Sequence, residues 1–147
     1  MNKDIEKDIK QLNSFLRGEL SAVQSYDQCL EKIESPQLGD TLRELRQSHL
    51  ERARLLEQKV SQLGGKPSKD TGAWGGFAKL VERGATAFGE KAAIMALEEG
   101  EDHGRDDYKR DIGALSAECQ AFVRGRIMPE QQRTHDTVSR LKKQLQN

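Results

Sequence analysis

Four polar residues stand where apolar ones are expected. Ile5, Ile9, Leu12, Leu16, Glu19, Val23, Tyr26, Leu30 and Ile33 alternate in steps of four and three, which puts all nine on one seam of an α-helix. Glu19 therefore falls inside an apolar stripe, where a carboxylate is costly unless it is neutralised, paired or bound to a metal. His49 interrupts the stripe Leu38, Leu42, Leu45, Ala53, Leu56, Val60 and Leu63, and Glu101 interrupts Ile94, Leu97, Gly104, Tyr108 and Ile112. His135 does the same within Cys119, Phe122 or Val123, Ile127, Gln131, Val138, Leu141 and Leu145. Each predicted helix carries one such residue near its middle, so antiparallel packing predicts that all four share a level. Two carboxylates and two imidazoles converging in a dry bundle suit iron, manganese or zinc.

An internal repeat surrounds these residues. Gly18-Glu19 followed by Tyr26 and Gly100-Glu101 followed by Tyr108 share the form G-E-x6-Y, and His49 and His135 follow their glutamates by 30 and 34 residues. The two halves read as related hairpins about a pseudo-twofold axis. Helical side chains lean toward their own N-terminus, so Tyr26 and Tyr108 are expected to support the ligands by hydrogen bonds, or else to be ordinary interior tyrosines. Arg46 offers a counter-ion to a seam glutamate, giving a metal-free network of Glu19, Glu101, Arg46 and the two histidines, or it snorkels outward. His103 lies about 200° around the helix from Glu101 and is expected to face solvent, with Asp102 a lesser alternative ligand. Gly100 and Gly104 each cost the helix about 1 kcal/mol relative to Ala, which points to close helix approach or to room for a ligand.

The elements that must position these residues are helices. Aromatic residues make up 5% of the chain and prolines number 3, while Leu, Glu, Lys, Gln, Arg and Ala abound. Helices are expected over about 3–34, 36–63, 89–112 and 115–145 in a single domain, 1–147. Ser35-Pro36 opens the second, Gly64-Gly65-Lys66-Pro67 stops it, and the Pro129 ring pressing on the Gly125 carbonyl predicts a kink or two abutting helices in the fourth. The connection 64–88 is the long one. Trp74, Phe77, Val81, Ala85 and Phe88 give it a short amphipathic helix, and its length allows the chain to return to the opposite end of the bundle. An up-down-up-down bundle with a decorated loop is the alternative.

Composition removes other classes. Lys+Arg and Asp+Glu both number 24, for a net charge of zero, so no long-range field draws the chain to nucleic acid. No stretch approaches a membrane span and the first residues are charged, so neither membrane nor secretion is expected and the cytoplasm is. Cys29 and Cys119, 90 residues apart with no CxxC spacing, read as reduced structural thiols. Nucleophile elbow, phosphate loop and dinucleotide fingerprint are all lacking, which leaves any catalytic residue unknown. Trp74 and Phe77 serve either their own bundle or a protein partner.

The stretches RGELSAVQSY, GAWGGFAKLVE, LEEGEDHGRDDY and MPEQQRTHD, in that order, resemble an uncharacterised bacterial family of ferritin-like four-helix-bundle proteins labelled a domain of unknown function. The resemblance runs from about residue 8 to 145. It implies an all-α bundle with one long crossover, association through helix faces as a homodimer, and the superfamily's di-iron site of two single glutamates and two Glu-x-x-His pairs. Glu19 and Glu101 match the single glutamates, and His49 and His135 match the histidines. Arg46 and Gln132 stand where the other two glutamates would be, with Glu98 a partial substitute. A mononuclear iron, zinc or manganese site is then favoured over a di-iron one, and the alternative is a non-enzymatic helical scaffold or interaction protein with a degenerate, metal-free polar core.

Overall fold

In a computed structural model, residues 2–71 and 89–146 are described. Helix α1 spans Lys3–Leu30, α2 Pro36–Gln62 and α3 Glu90–Asp111. A 3-10 turn, Ile112–Ala114, leads to α4, Ala117–Phe122, which continues through a π-helical turn, Val123–Ile127, into α5, Met128–Gln146. The last three run on as one long rod, so the described residues form four helical rods.

The ends are set by local chemistry. Asn2 accepts from the Asp4 N–H at the start of α1, and at the start of α2 that the sequence predicts, Ser35 accepts from the Leu38 N–H with Pro36 in the first turn. α2 stops where Gly64 takes a positive φ of 87° and the Gly65 N–H donates to the Val60 carbonyl at 2.9 Å, a left-handed exit that favours glycine. α1 ends at Leu30, four residues short of the expected 34, in a turn at Glu31–Lys32. Pro129 causes no break of its own. The π-helical turn just before it lengthens the hydrogen-bond ring, which accommodates a ring that would press on a carbonyl in regular α-helix.

Connections between distant residues fix the topology. Gly65 abuts Ile9, and the Lys66 carbonyl accepts from Asn13, so α2 ends beside the start of α1. The Glu90 carboxylate accepts from the backbone of Glu34 and Ser35, so α3 begins at the far end of α1. The chain has therefore crossed the length of the bundle between them, and α2 and α3 run parallel. Asp8 in turn accepts from the Ser116 N–H and hydroxyl at 2.8 and 2.6 Å, tying the start of α4 to the start of α1. This is the one-crossover arrangement, and the expected amphipathic helix with Trp74, Phe77, Val81, Ala85 and Phe88 lies outside the described residues.

The apolar core is divided. One cluster, with Leu12, Phe15, Leu16, Leu56, Val60 and Tyr108 among its members, fills the end where α1 begins. A second, with Tyr26, Cys29, Leu42, Leu45, Ile94 and Val138, fills the other end. Between them lies a polar layer. No helix among the described residues is long and apolar enough to cross a membrane.

Candidate functional site

The polar layer is centred on His49. Its ring donates from Nδ1 to Glu19 Oε1 at 2.6 Å and from Nε2 to Glu101 Oε2 at 2.7 Å, so one imidazole bridges carboxylates from α1 and α3. Both carboxylates accept further bonds, and Glu101 Oε2 takes two. Tyr108 donates to Glu19 Oε2 and Tyr26 to Glu101 Oε2, both at 2.6 Å, while the Thr134 hydroxyl donates to Glu101 Oε1 at 2.9 Å. The tyrosines thus cross over. Each serves the glutamate of the other helix, which is what a twofold-related pair of G-E-x6-Y segments on antiparallel helices produces.

The fourth charge is Arg52, one turn beyond His49 on α2. It is 1% exposed, and Glu19, His49 and Glu101 are each at most 5% exposed. Its Nε lies 3.6 Å from Glu19 Oε1, and its Nη2 donates to Thr134 Oγ1 at 3.1 Å and comes within 2.7 Å of His49 Nδ1. A protonated Nδ1 cannot accept from a guanidinium, so this last contact sets two cations side by side. They are held there by the carboxylates on either side.

Ionisation follows from these contacts. Burial alone would push Glu101 up, but His49 and Arg52 overcome it and bring its pKa down to about 2. Glu19 is lowered in the same way by Arg52 and His49 against the cost of burial. Burial and Arg52 press His49 down, yet the two glutamates prevail and raise it, so the imidazolium is the favoured form. Burial and the adjacent carboxylates drive Tyr26 and Tyr108 well above the usual range, keeping both hydroxyls protonated and donating. Two negative charges therefore face two positive ones, and the cluster is neutral.

A cavity of about 30 Å³ lies against the cluster, lined by residues including Gly18, Gly104, Arg52 and Gln131. It has the room of a water or so. Arg52 Nε and Nη1 have no hydrogen-bond partner among the described residues. An added Cβ at Gly104 would meet nothing within 4 Å, so this glycine leaves space and does not serve close helix packing.

The structure brings together Glu19, His49 and Glu101, with Tyr26 and Tyr108 supporting the glutamates, and places His135, Arg46, Gln132 and Glu98 elsewhere. His135 turns to the edge of the bundle, where its Nε2 meets Asp102 Oδ1 at 2.6 Å and Arg105 Nη1 at 3.1 Å. The reason is helical phase: α5 presents Gln131, Thr134 and Val138 inward, and His135 is one residue round from Thr134. Arg46 pairs with Asp27 at the surface and Gln132 donates to Asp136, so neither reaches the cluster. Glu98 is bound by Lys142 at 2.8 Å, and His103 is exposed as expected. Arg52 and Thr134 are the site residues that the stripe reasoning missed. A signal for Arg52 existed, because two seam glutamates call for a buried cation and Arg52 shares a face with His49 at i+3.

A dinuclear metal centre does not fit this donor set. Six ligands are needed, and the two Glu-x-x-His glutamate positions hold Arg46 and Gln132, both turned outward. The one inward histidine has both ring nitrogens committed to carboxylates, and Arg52 supplies the counter-charge that a metal otherwise would. Among the described residues, no group of three or more His, Cys, Asp or Glu side chains is disposed to hold a metal ion.

Comparison with known proteins agrees with the architecture. The family model described as domain of unknown function (DUF2383) matches residues 7–113. A solved structure titled as ferritin like, diiron-carboxylate proteins from Bacillus anthracis str. Ames superposes with a TM-score of 0.75 and 19% identity, over 97% of this chain and 99% of that one. At that identity the likeness is one of fold, and it makes this chain an all-α, ferritin-like bundle. No curated protein matches the sequence.

Proposed function

The chain belongs to the family of the domain of unknown function DUF2383, and we propose that it is a non-enzymatic ferritin-like scaffold whose core holds a self-neutralising ion cluster in place of a metal centre. Arg52 carries this reading. A guanidinium buried among Glu19, His49 and Thr134 balances the charge that iron, manganese or zinc would otherwise have to balance. The cluster then fixes helix register by hydrogen bonds that only one packing satisfies. On this reading the chain acts through its surface, toward a second copy or a protein partner. Its buried free thiols, Cys29 and Cys119, fit a reducing cytoplasmic setting.

A second reading, one metal ion held by Glu19, His49 and Glu101, is favoured by the convergence of these three side chains and by the diiron-carboxylate description of the similar structure. It requires His49 to give up its proton and Arg52 to withdraw. Bound there, the ion would supply Lewis acidity or, if iron, redox chemistry.

Elemental analysis of untagged protein separates the two, before and after addition of Fe(II), Mn(II) or Zn(II), with Glu19→Ala alongside. No stoichiometric metal under any condition is the expected outcome. About one ion per chain, lost in Glu19→Ala, would overturn the scaffold reading in favour of the second.

A further inference from the structure

Away from the core, the outer face of α1 gathers cations and polar donors around a hollow. Lys7, Lys10, Gln11, Ser14 and Arg17 recur at helical spacing and, with Ala114 from the turn after α3, line a cavity of about 340 Å³. None of these residues is acidic. Lys7, Lys10 and Arg17 have no ion-pair partner among the described residues. In a chain with zero net charge, three uncompensated cations around one hollow are a local feature and not a by-product of a basic protein.

One cation of the hollow is already oriented. Arg17 is held in place, because its Nη1 donates to Ser68 Oγ at 2.9 Å, which orients the guanidinium before any ligand arrives. The volume falls within the range of about 300–1,000 Å³ common for small-molecule sites. We propose that this hollow binds a phosphate-bearing small molecule, with Lys7, Lys10 and Arg17 neutralising the phosphate and Ser14 donating a hydrogen bond to one of its oxygens. Charge-assisted donors of this type and number match a multiply charged oxyanion.

The test uses inorganic pyrophosphate as the probe, titrated into the full chain at constant ionic strength. Calorimetry reads affinity, and NMR reads the Gln11 side-chain amide. Saturable binding is expected, with a shift of the Gln11 amide and affinity about tenfold or more weaker in the Lys7→Glu, Lys10→Glu double variant. Both lysines are exposed, so the variant should fold. If its melting temperature nevertheless drops, Arg17→Gln is measured in its place and is expected to weaken binding in the same sense. Absence of saturable binding at millimolar pyrophosphate overturns the proposal, and so does equal binding by the variants. Binding of a single-stranded oligonucleotide or anionic vesicles without any response to pyrophosphate also overturns it, since the occupant would then be a macromolecule.

Discussion

Removing one member of a buried ion group leaves its partners charged and unpaired, and that penalty exceeds what the group contributes when intact. Arg52→Met should therefore lower stability by about 3–5 kcal/mol, measured by urea unfolding near neutral pH. Arg46→Met, which removes only a half-exposed pair with Asp27, should change it by about 1 kcal/mol or less. Had Arg46 been the core counter-ion, the order would be reversed. Acidity probes the same residues. Glu101 has its pKa lowered from the ordinary 4.5 to about 2, so its contribution is complete above pH 4.5 and is lost as pH falls through about 2. His49 is raised above 6.5, so its contribution is complete below pH 6.5 and is lost as pH rises through the raised value. The cluster as a whole should stabilise most between about pH 4.5 and 6.5. Urea midpoints measured across pH 2–9 should decline on both sides of that window, with the alkaline decline weakened in His49→Gln.

At the scale of the helices, the seam of α1 was legible because a four-three alternation over nine residues admits one phase only. Glu19 and Tyr26 follow from it directly, and the repeat transfers the same inference to Glu101 and Tyr108 on α3. The fourth rod was not legible to the same degree. Cys119, Val123, Ile127 and Gln131 recur every four residues, which drifts around a regular α-helix, and the π-helical turn at Val123–Ile127 absorbs the drift by taking one extra residue. Beyond it, the sequence admits either Thr134 or His135 on the inner face, and composition favours the histidine only if a metal is presumed. Arg52 escaped because arginine is usually a surface residue, although charge balance demanded one. Gly104 tests the reading of the cavity at this scale. With nothing within 4 Å of its missing Cβ, Gly104→Ala should raise stability by up to about 1 kcal/mol through helix propensity. Gly65→Ala should lower it, because the new methyl would lie 2.7 Å from Ile9 Cγ2. Thermal melts of the two variants compare them directly.

For the molecule as a whole, the ion cluster separates two apolar clusters that would otherwise be one core. Hydrogen bonds from three helices, and Thr134 from the fourth rod, converge on that layer, so it defines how far each helix is slid along its neighbours. Such a layer secures one register at a cost in net stability. Replacing it entirely, as Glu19→Leu, His49→Phe, Arg52→Met and Glu101→Leu together with Tyr26→Phe, Tyr108→Phe and Thr134→Val so that no buried hydroxyl loses its acceptor, should therefore leave the protein as stable as before or more stable by about 1–4 kcal/mol, in contrast to the loss expected for Arg52→Met alone. The accompanying change should be in uniqueness. Apolar residues pack acceptably in several registers, so the combined variant should show broader NMR amide lines or slow exchange between forms while keeping its helical circular dichroism. A combined variant that unfolds would mean the ionic layer supplies stability as well as register, and that the energetic asymmetry between intact and broken ion groups does not hold in this bundle.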